Sequence, residues 1–201
     1  MAVERVSSET AAVLEILDAA IALHARVREM DHDPIPRAAE AIRTAHAAGG
    51  KVLLFGNGGS AADAQHMAAE LVCRFARERR ALAAVALSAD TSVLTSVGND
   101  LGFARIFARQ IEALGQPGDV AFGISTSGAS ANVIDALEAA RARGLRTVAL
   151  TGRDGGAAGA AAEIHINVPG TLAARVQEVH RTLIHVICEL VERAVVMPNA
   201  E

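Results

Sequence analysis

The stretch that decides the fold is VLLFGNGGSAADAQHMAAEL, residues 52 to 71. A short apolar run enters a turn of glycines and a serine, and a segment of helical composition follows it. Turns of this kind between a strand and a helix present backbone N–H groups to an anion. The helical segment also carries Gln65, His66 and Glu70 where a packed helix would prefer leucine. The stretch is therefore either a nucleotide-binding turn or one side of an active site.

Four further apolar runs repeat the first part of this pattern. They are LAAVALS (82–88), GDVAFGIS (118–125), LRTVALTG (145–152) and AEIHINVP (162–169), and helical segments alternate with them. Continuous apolar runs that alternate with helices are typical of buried parallel strands. Together with KVLLFG (51–56) they predict an α/β fold with a doubly wound, five-stranded parallel sheet.

Helices are predicted around these strands. Two helices, over 8–30 and 37–48, precede the sheet, and a long helix over 173–196 ends the chain. The helix after the first strand is predicted to run to about residue 76, and another is predicted over 101–114. We expect residues 1–201 to form one domain, with the helices of 8–48 packed on the sheet or on a neighbouring subunit.

Composition and charge exclude several classes of function. The chain has 201 residues and a net charge of -4, and it lacks the basic patch that nucleic-acid binding requires. Its N-terminus has no cleavable apolar core, and no run reaches the roughly 18 apolar residues of a membrane span. Cys73 and Cys188 form no CxxC motif, as expected for reduced thiols in a cytoplasmic protein.

The turn after the third strand carries more hydroxyl groups than a turn needs. Ser125, Thr126, Ser127 and Ser130 surround Gly128 at the start of a helix. A helix N-cap uses one hydroxyl group. Four hydroxyl groups beside backbone N–H groups favour a binding site for a phosphomonoester.

The first turn permits a different interpretation. Gly56, Gly58 and Ala61 fit the weak form of the dinucleotide fingerprint. A dinucleotide-dependent oxidoreductase, with Asp90 on the ribose, is therefore an alternative. That reading leaves the hydroxyl cluster of the other turn without a role, whereas a sugar phosphate would use it.

Polar residues on two helices suggest catalysis or metal binding. His66 and Glu70 are four residues apart and share one helix face. The last helix offers Gln177, His180 and His185, and spacing alone does not choose between the two histidines. A His, Glu, Gln and His set could bind a zinc-like cation, or a carboxylate and an imidazole could transfer protons. The plainer alternative is a surface ion pair and a hydrogen-bonded core histidine.

Five segments together resemble one family. They are FGNGGSAADAQHMAAEL, SVGNDLGFARIFARQ, GDVAFGISTSGASANVI, LTGRDGG and RVQEVHRTLIHVICELVE. They are similar to the sedoheptulose-7-phosphate isomerases, or phosphoheptose isomerases, which have the sugar isomerase (SIS) fold. The similarity covers essentially the whole chain.

The resemblance implies a homotetrameric ketose–aldose isomerase that acts on a small sugar phosphate, in heptose synthesis for bacterial surface polysaccharides. It implies one Zn²⁺ per subunit, which would polarise the sugar oxygens and stabilise an enediolate, with Glu70 and His185 as the acid/base pair. The implied zinc ligands are His66, Glu70, Gln177 and His185, which selects His185 over His180. The implied substrate-binding residues are Asn57, Gly58, Gly59, Glu70, Arg74, Asn99, Asp100, Ser125, Thr126, Ser127, Ser130 and Gln177.

One departure from the family pattern concerns the loop before Gln177. Family members commonly have an acidic residue there, but PGTLAARVQ has none. The resemblance therefore covers the catalytic chemistry more fully than the residues that orient and select the sugar. A related branch binds a bacterial replication initiator without catalysis and lacks the Glu and the final His of the catalytic set. This chain keeps both residues, which favours an enzyme over such a regulatory protein.

Overall fold

The computed structural model describes residues 7–196, which form a five-stranded parallel sheet between two layers of helices. The strands are β1 (Val52–Gly56), β2 (Ala84–Ala86), β3 (Val120–Ser125), β4 (Arg146–Gly152) and β5 (Ile164–Val168). The helices are α1 (Ser8–Arg28), α2 (Pro34–Ala47), α3 (Gly59–Val72), α4 (Thr91–Asp100), α5 (Ala108–Leu114), α6 (Ala131–Ala142), α7 (Gly156–Ala161) and α8 (Ala173–Val196). The predicted fold class is confirmed.

The strand order explains why two distant turns meet. The sheet runs β2-β1-β3-β4-β5, so the chain reverses its direction of winding between β1 and β3. Ligands of open α/β sheets bind at such a reversal, outside the carboxyl ends of the strands. Gly56 at the end of β1 is in register with Ile124, next to the end of β3. The turns that follow these two strands therefore lie side by side.

The core lies on both faces of the sheet. β1 and β3 are buried at every position, which is why they read as continuous apolar runs. Ile42, Met67 and Ile184 of α2, α3 and α8 pack on one face. Phe107 and Leu137, just before α5 and within α6, pack on the other face.

Three predicted helix boundaries were wrong. The second helix begins at Pro34, since proline is tolerated in the first turn, where N–H groups have no helical partner. The helix predicted over 101–114 is interrupted at Gly102, whose φ of 88° no α-helix accommodates, and consists of a 3-10 turn over Phe103–Arg105 followed by α5. The helix after β1 ends at Val72, and a loop of residues 73–83 follows it.

The two N-terminal helices differ in how they pack. α2 buries Ile35, Ile42 and the small residues between them against α8 and β5. α1 lies along α8, where His24 Nε2 is 3.0 Å from the Thr182 hydroxyl, and buries only Val27. Five of its large apolar side chains are at least half exposed: Val13, Leu14, Ile16, Leu17 and Ile21.

Within residues 7–196, none of the helices has the length and apolar character that crossing a bilayer demands.

Candidate active site

The glycine turn (Gly56–Ser60) connects β1 to α3 and depends on residues without side chains. A Cβ atom on Gly56 would lie 2.8 Å from the Ile124 carbonyl oxygen, and one on Gly59 would overlap the Gln177 carboxamide. Gly58 has a φ of 54° and precedes α3 with no side chain capping the helix. The N–H groups of Ser60, Ala61 and Ala62 donate to the carbonyl oxygens of Asn57 and Gly58. The exposed backbone of Gly58 and Gly59 is therefore the part of the turn that a ligand can approach.

The hydroxyl turn (Ser125–Ser130) connects β3 to α6. The Ser125 hydroxyl lies 3.0 Å from that of Ser130 and 3.3 Å from that of Ser127, and it accepts a hydrogen bond from the Gly128 N–H. Ser130 occupies the N-cap position of α6, yet its hydroxyl caps no N–H group of the helix. Capping therefore does not account for the cluster. Converging hydroxyl groups at an uncapped helix start suit a phosphate group.

An amide pair joins the two turns. Asn57 Nδ2 donates to Asn132 Oδ1 at 2.8 Å, and Asn132 Nδ2 donates back to Asn57 Oδ1 at 2.8 Å. Asn132 lies in the first turn of α6 and is buried, while Asn57 is half-buried. Sequence reasoning assigned a role to Asn57 and missed Asn132, although Asn132 follows Ser130 by only two positions.

The structure brings His66, Glu70 and His185 together between α3 and α8, and we call these three side chains the His–Glu–His group. One ligand atom from each lies within 4.8 Å of the other two. His66 Nε2 is 2.8 Å from His185 Nε2 and 3.3 Å from Glu70 Oε1. The three side chains are partly buried, so a small molecule or an ion has access to them.

The donor set of this group fits zinc. Zn–N and Zn–O bonds of about 2.0–2.2 Å in a tetrahedron place neighbouring ligand atoms about 3.3–3.6 Å apart. The 3.3 Å between His66 Nε2 and Glu70 Oε1 matches this spacing, and the two histidine nitrogens, 2.8 Å apart, would have to separate by about half an ångström. Burial and then the nearby Arg181 guanidinium hold the pKa of His66 below its ordinary value. The imidazole is therefore neutral at physiological pH, as metal binding requires.

Gln177 lies away from this group within one chain. α3 and α8 run side by side in the same direction, because Gly59 contacts Gln177, Asp63 binds Arg181 at 2.6 Å, and His66 meets His185. Gln177 and His185 are eight positions apart, which corresponds to about 12 Å along the helix. Gln177 thus stands beside the glycine turn, lining a groove of about 770 Å³ together with Asp63 and Arg181.

His180, the other candidate histidine, has a structural role. It is fully buried, and its Nε2 donates to the Thr151 carbonyl oxygen at 2.9 Å. Burial holds its pKa below the ordinary value. His180 therefore supports the end of β4 as a neutral imidazole, and it lies outside the His–Glu–His group.

The remaining predicted residues lie at exposed positions. Asn99 and Asp100 end α4, where the Asn99 amide donates to Asp100 Oδ1 at 2.7 Å. Arg74 follows α3 and pairs with Glu78. Asp90, the ribose candidate of the dinucleotide alternative, instead caps α4 by accepting from the Val93 N–H at 3.0 Å.

Sequence reasoning also missed a buried carboxylate next to the His–Glu–His group. Glu192 is fully buried on α8 and accepts hydrogen bonds from the backbone N–H groups of Phe75, Ala76 and Arg77. Arg79 lies 3.4 Å from it and donates to the carbonyl oxygen of Glu70. This loop therefore fixes the end of α3 to α8.

Comparisons with known proteins agree with this architecture. Residues 15–152 match the SIS domain family model. A phosphoheptose isomerase of Roseiflexus sp. is 52% identical over 181 residues, 90% of this chain and 92% of the relative. One from Aquifex aeolicus is 60% identical, over 77% of this chain and 81% of the relative. The structure of phosphoheptose isomerase GmhA from Neisseria gonorrhoeae has a TM-score of 0.87 and 44% identity, covering 92% of this chain and 98% of the other.

Proposed function

The chain belongs to the SIS domain family and, within it, to the phosphoheptose isomerases, which are aldose–ketose isomerases; we propose that it converts sedoheptulose 7-phosphate to D-glycero-D-manno-heptose 7-phosphate. The pathway we propose is heptose synthesis for bacterial surface polysaccharide, in the cytoplasm. The observation that carries the proposal is the His–Glu–His group, which joins proton-transferring and metal-binding side chains in one place.

The turns at the sheet edge supply the sugar-phosphate site. The hydroxyl turn and the open start of α6 bind the phosphate group, and the glycine turn lets the sugar approach the backbone. Binding the phosphate fixes the far end of the substrate, so that its reacting carbons are held in place. Asn99, Asp100 and Arg74 would contribute polar contacts from the rim.

The His–Glu–His group supplies the proton chemistry. Glu70 removes a proton from C1 of the ketose, His185 acts as the acid that protonates O2 and then takes up the O1 hydroxyl proton, and the proton held by Glu70 returns to C2. Glu70 turns Oε1 toward His66, which leaves its second oxygen for the substrate. Zinc, held by His66, Glu70 and His185, would supply polarisation of the sugar oxygens as a Lewis acid. Gln177 can complete that set only from a second copy of the chain, since within one chain it lies beside the glycine turn.

The decisive experiment is an isomerase assay on sedoheptulose 7-phosphate, with and without a chelator. We expect turnover that is lost on chelation and restored by zinc. Turnover that persists in demonstrably metal-free protein would remove zinc from the mechanism while leaving the Glu70 and His185 roles in place. Absence of turnover on this sugar, alongside turnover on a different phosphosugar, would reject the proposed substrate.

We also propose that the enzyme is a homotetramer. Two observations support it: the apolar residues of α1 are exposed in the single chain, and the His–Glu–His group lies about two helical turns from the glycine turn along α3. Assembly would cover the first and bring the group of one chain to the turns of another. Light scattering on Ile21→Glu should show a smaller species, whereas Arg141→Glu on the outer face of α6 should not. An unchanged mass for Ile21→Glu would count against this role of α1.

A further inference from the structure

Asn57 of the glycine turn and Asn132 of α6, just after the hydroxyl turn, are 75 residues apart in the chain and form an amide pair. Each asparagine carboxamide has two N–H donors and two acceptor lone pairs. The pair uses one donor and one acceptor from each residue, both at 2.8 Å. Each side chain therefore keeps one N–H and one lone pair for other partners.

The two members of the pair are placed differently. Asn132 is 3% exposed and sits in the first turn of α6, whose backbone fixes its position. Asn57 is half-buried and lies in the glycine turn, next to Gly58 with its φ of 54°. A side chain in such a turn has little packing of its own to set its rotamer. Asn132 is thus the fixed member, and Asn57 is the member that can face a ligand.

We propose that Asn132 is a positioning residue for the isomerisation: it orients the Asn57 carboxamide toward the sugar and sets the glycine turn relative to the hydroxyl turn. This inference rests on the proposed function, because it takes the two turns as the two parts of one sugar-phosphate site. Asn132 itself does not touch the substrate. Because Asn132 is buried, its remaining N–H and lone pair have little access to a ligand, whereas the half-buried Asn57 keeps part of its carboxamide accessible.

A double-mutant cycle tests this role. Asn132→Ala should lower kcat/KM by about 10- to 100-fold, as expected when a binding group shifts by a fraction of an ångström to one ångström. Asn57→Ala should lower it at least as much. In the Asn57→Ala background, Asn132→Ala should cause little further loss, because Asn132 acts only through Asn57.

A matched control separates positioning from stability. Gln110 is a second buried amide with two hydrogen bonds, from its Nε2 to the carbonyl oxygens of Leu87 and Ile106, and it lies outside both turns. Gln110→Leu and Asn132→Ala should both lower the melting temperature, but only Asn132→Ala should change kcat/KM. Equal kinetic losses in the two variants would reduce Asn132 to a structural residue and overturn the proposal.

The remaining outcomes are also decisive. If the losses from Asn57→Ala and Asn132→Ala multiply in the double variant, Asn132 acts independently of Asn57 and the inference fails while the proposed function stands. If the wild-type chain binds sedoheptulose 7-phosphate by calorimetry without turning it over, the proposed function fails, and the same cycle run on the dissociation constant still tests the amide pair. A wild-type chain with neither turnover nor binding would reject both.

Discussion

The turns at the sheet edge and the His–Glu–His group are built in opposite ways. The turns use backbone N–H groups, glycines and hydroxyl groups that are contiguous in sequence, and the strand order alone brings them together. The His–Glu–His group uses three long side chains from two helices. Its two histidines, His66 and His185, are 119 residues apart in the chain. The first region depends on local sequence and topology, and the second depends on the register of α3 against α8. Substitutions should therefore affect binding in the first region and chemistry in the second.

The largest effect should come from the carboxylate of the His–Glu–His group. Glu70→Gln removes the base, so we expect kcat to fall by about 10²–10⁴. The substitution keeps the size of the side chain, which is only partly buried. The melting temperature should stay near that of the wild type. Glu163→Gln, at an exposed glutamate paired with Arg146, is the matched control for steady-state kinetics. Near-normal turnover in Glu70→Gln would place the base elsewhere.

The next effect tests what holds the helix register. Glu192→Ala leaves three backbone N–H groups and Arg79 without their carboxylate, and loss of one partner of a buried pair costs about 3–5 kcal/mol of unfolding free energy. Chemical denaturation measures it. Glu189→Ala, one turn earlier on α8 and partly exposed, pairs with Arg77 and Arg193 and should lose much less. Similar losses in both would show that Glu192 does not fix the end of α3.

A substitution in the hydroxyl turn should change binding rather than turnover. Ser127→Ala removes one hydroxyl group from the proposed phosphate site, and a hydrogen bond to a charged group is worth about 1.5–3 kcal/mol. We expect KM to rise by about 10- to 100-fold with kcat nearly unchanged. Thr44→Ala, which removes an exposed hydroxyl group from α2, should leave both constants alone. A fall in kcat at constant KM would mean that the two regions are not separate in function.

The smallest expected effect concerns pH. Burial acts to raise the pKa of Glu192, but the three backbone N–H groups and Arg79 outweigh it and hold the pKa below the ordinary 4.5. A carboxylate with a lowered pKa stabilises the fold above the pKa of the unfolded chain, and this contribution is lost as the pH falls through the folded value. The difference in melting temperature between the wild type and Glu192→Gln should therefore shrink below pH 4.5. A difference that stays constant with pH would contradict the assigned charge state.

The fold was predictable because the buried strands β1, β3 and β4 each leave a continuous apolar run, and the less buried β2 and β5 lie within runs of the same kind. The two turns were predictable because their residues are contiguous in the sequence and directly follow the ends of β1 and β3. Two of the boundaries that failed depend on the local effects of Pro34 and Gly102, and the third depends on a residue outside the predicted end of the helix. α3 ends at Val72, where Arg79 donates to the carbonyl oxygens of Leu71 and Glu70. The residues around position 73 contain no glycine or proline that would predict this end.

The candidate site was predictable only in part. His66 and Glu70 share a helix face by spacing alone, but choosing His185 over His180 required the family resemblance. The structure explains the choice, since His180 points into the protein at Thr151 while His185 meets His66. Asn132 and Glu192 were not predicted from the sequence, because their partners, Asn57 and the loop that begins at Phe75, lie far away along the chain. Hydrogen-bonded pairs of this kind leave no periodic pattern along a chain.

The parallel packing of α3 and α8 has a consequence for how this chain can change in length. Inserting one residue between Gln177 and His185 would rotate everything after it by about 100°, turning His185 away from His66 while Gln177 stayed in place. Insertions and deletions should therefore be nearly forbidden within these eight positions, although many point substitutions there would be accepted. The loop of 169–172 just before α8 carries no such restriction. Variation in length among relatives should therefore concentrate in that loop.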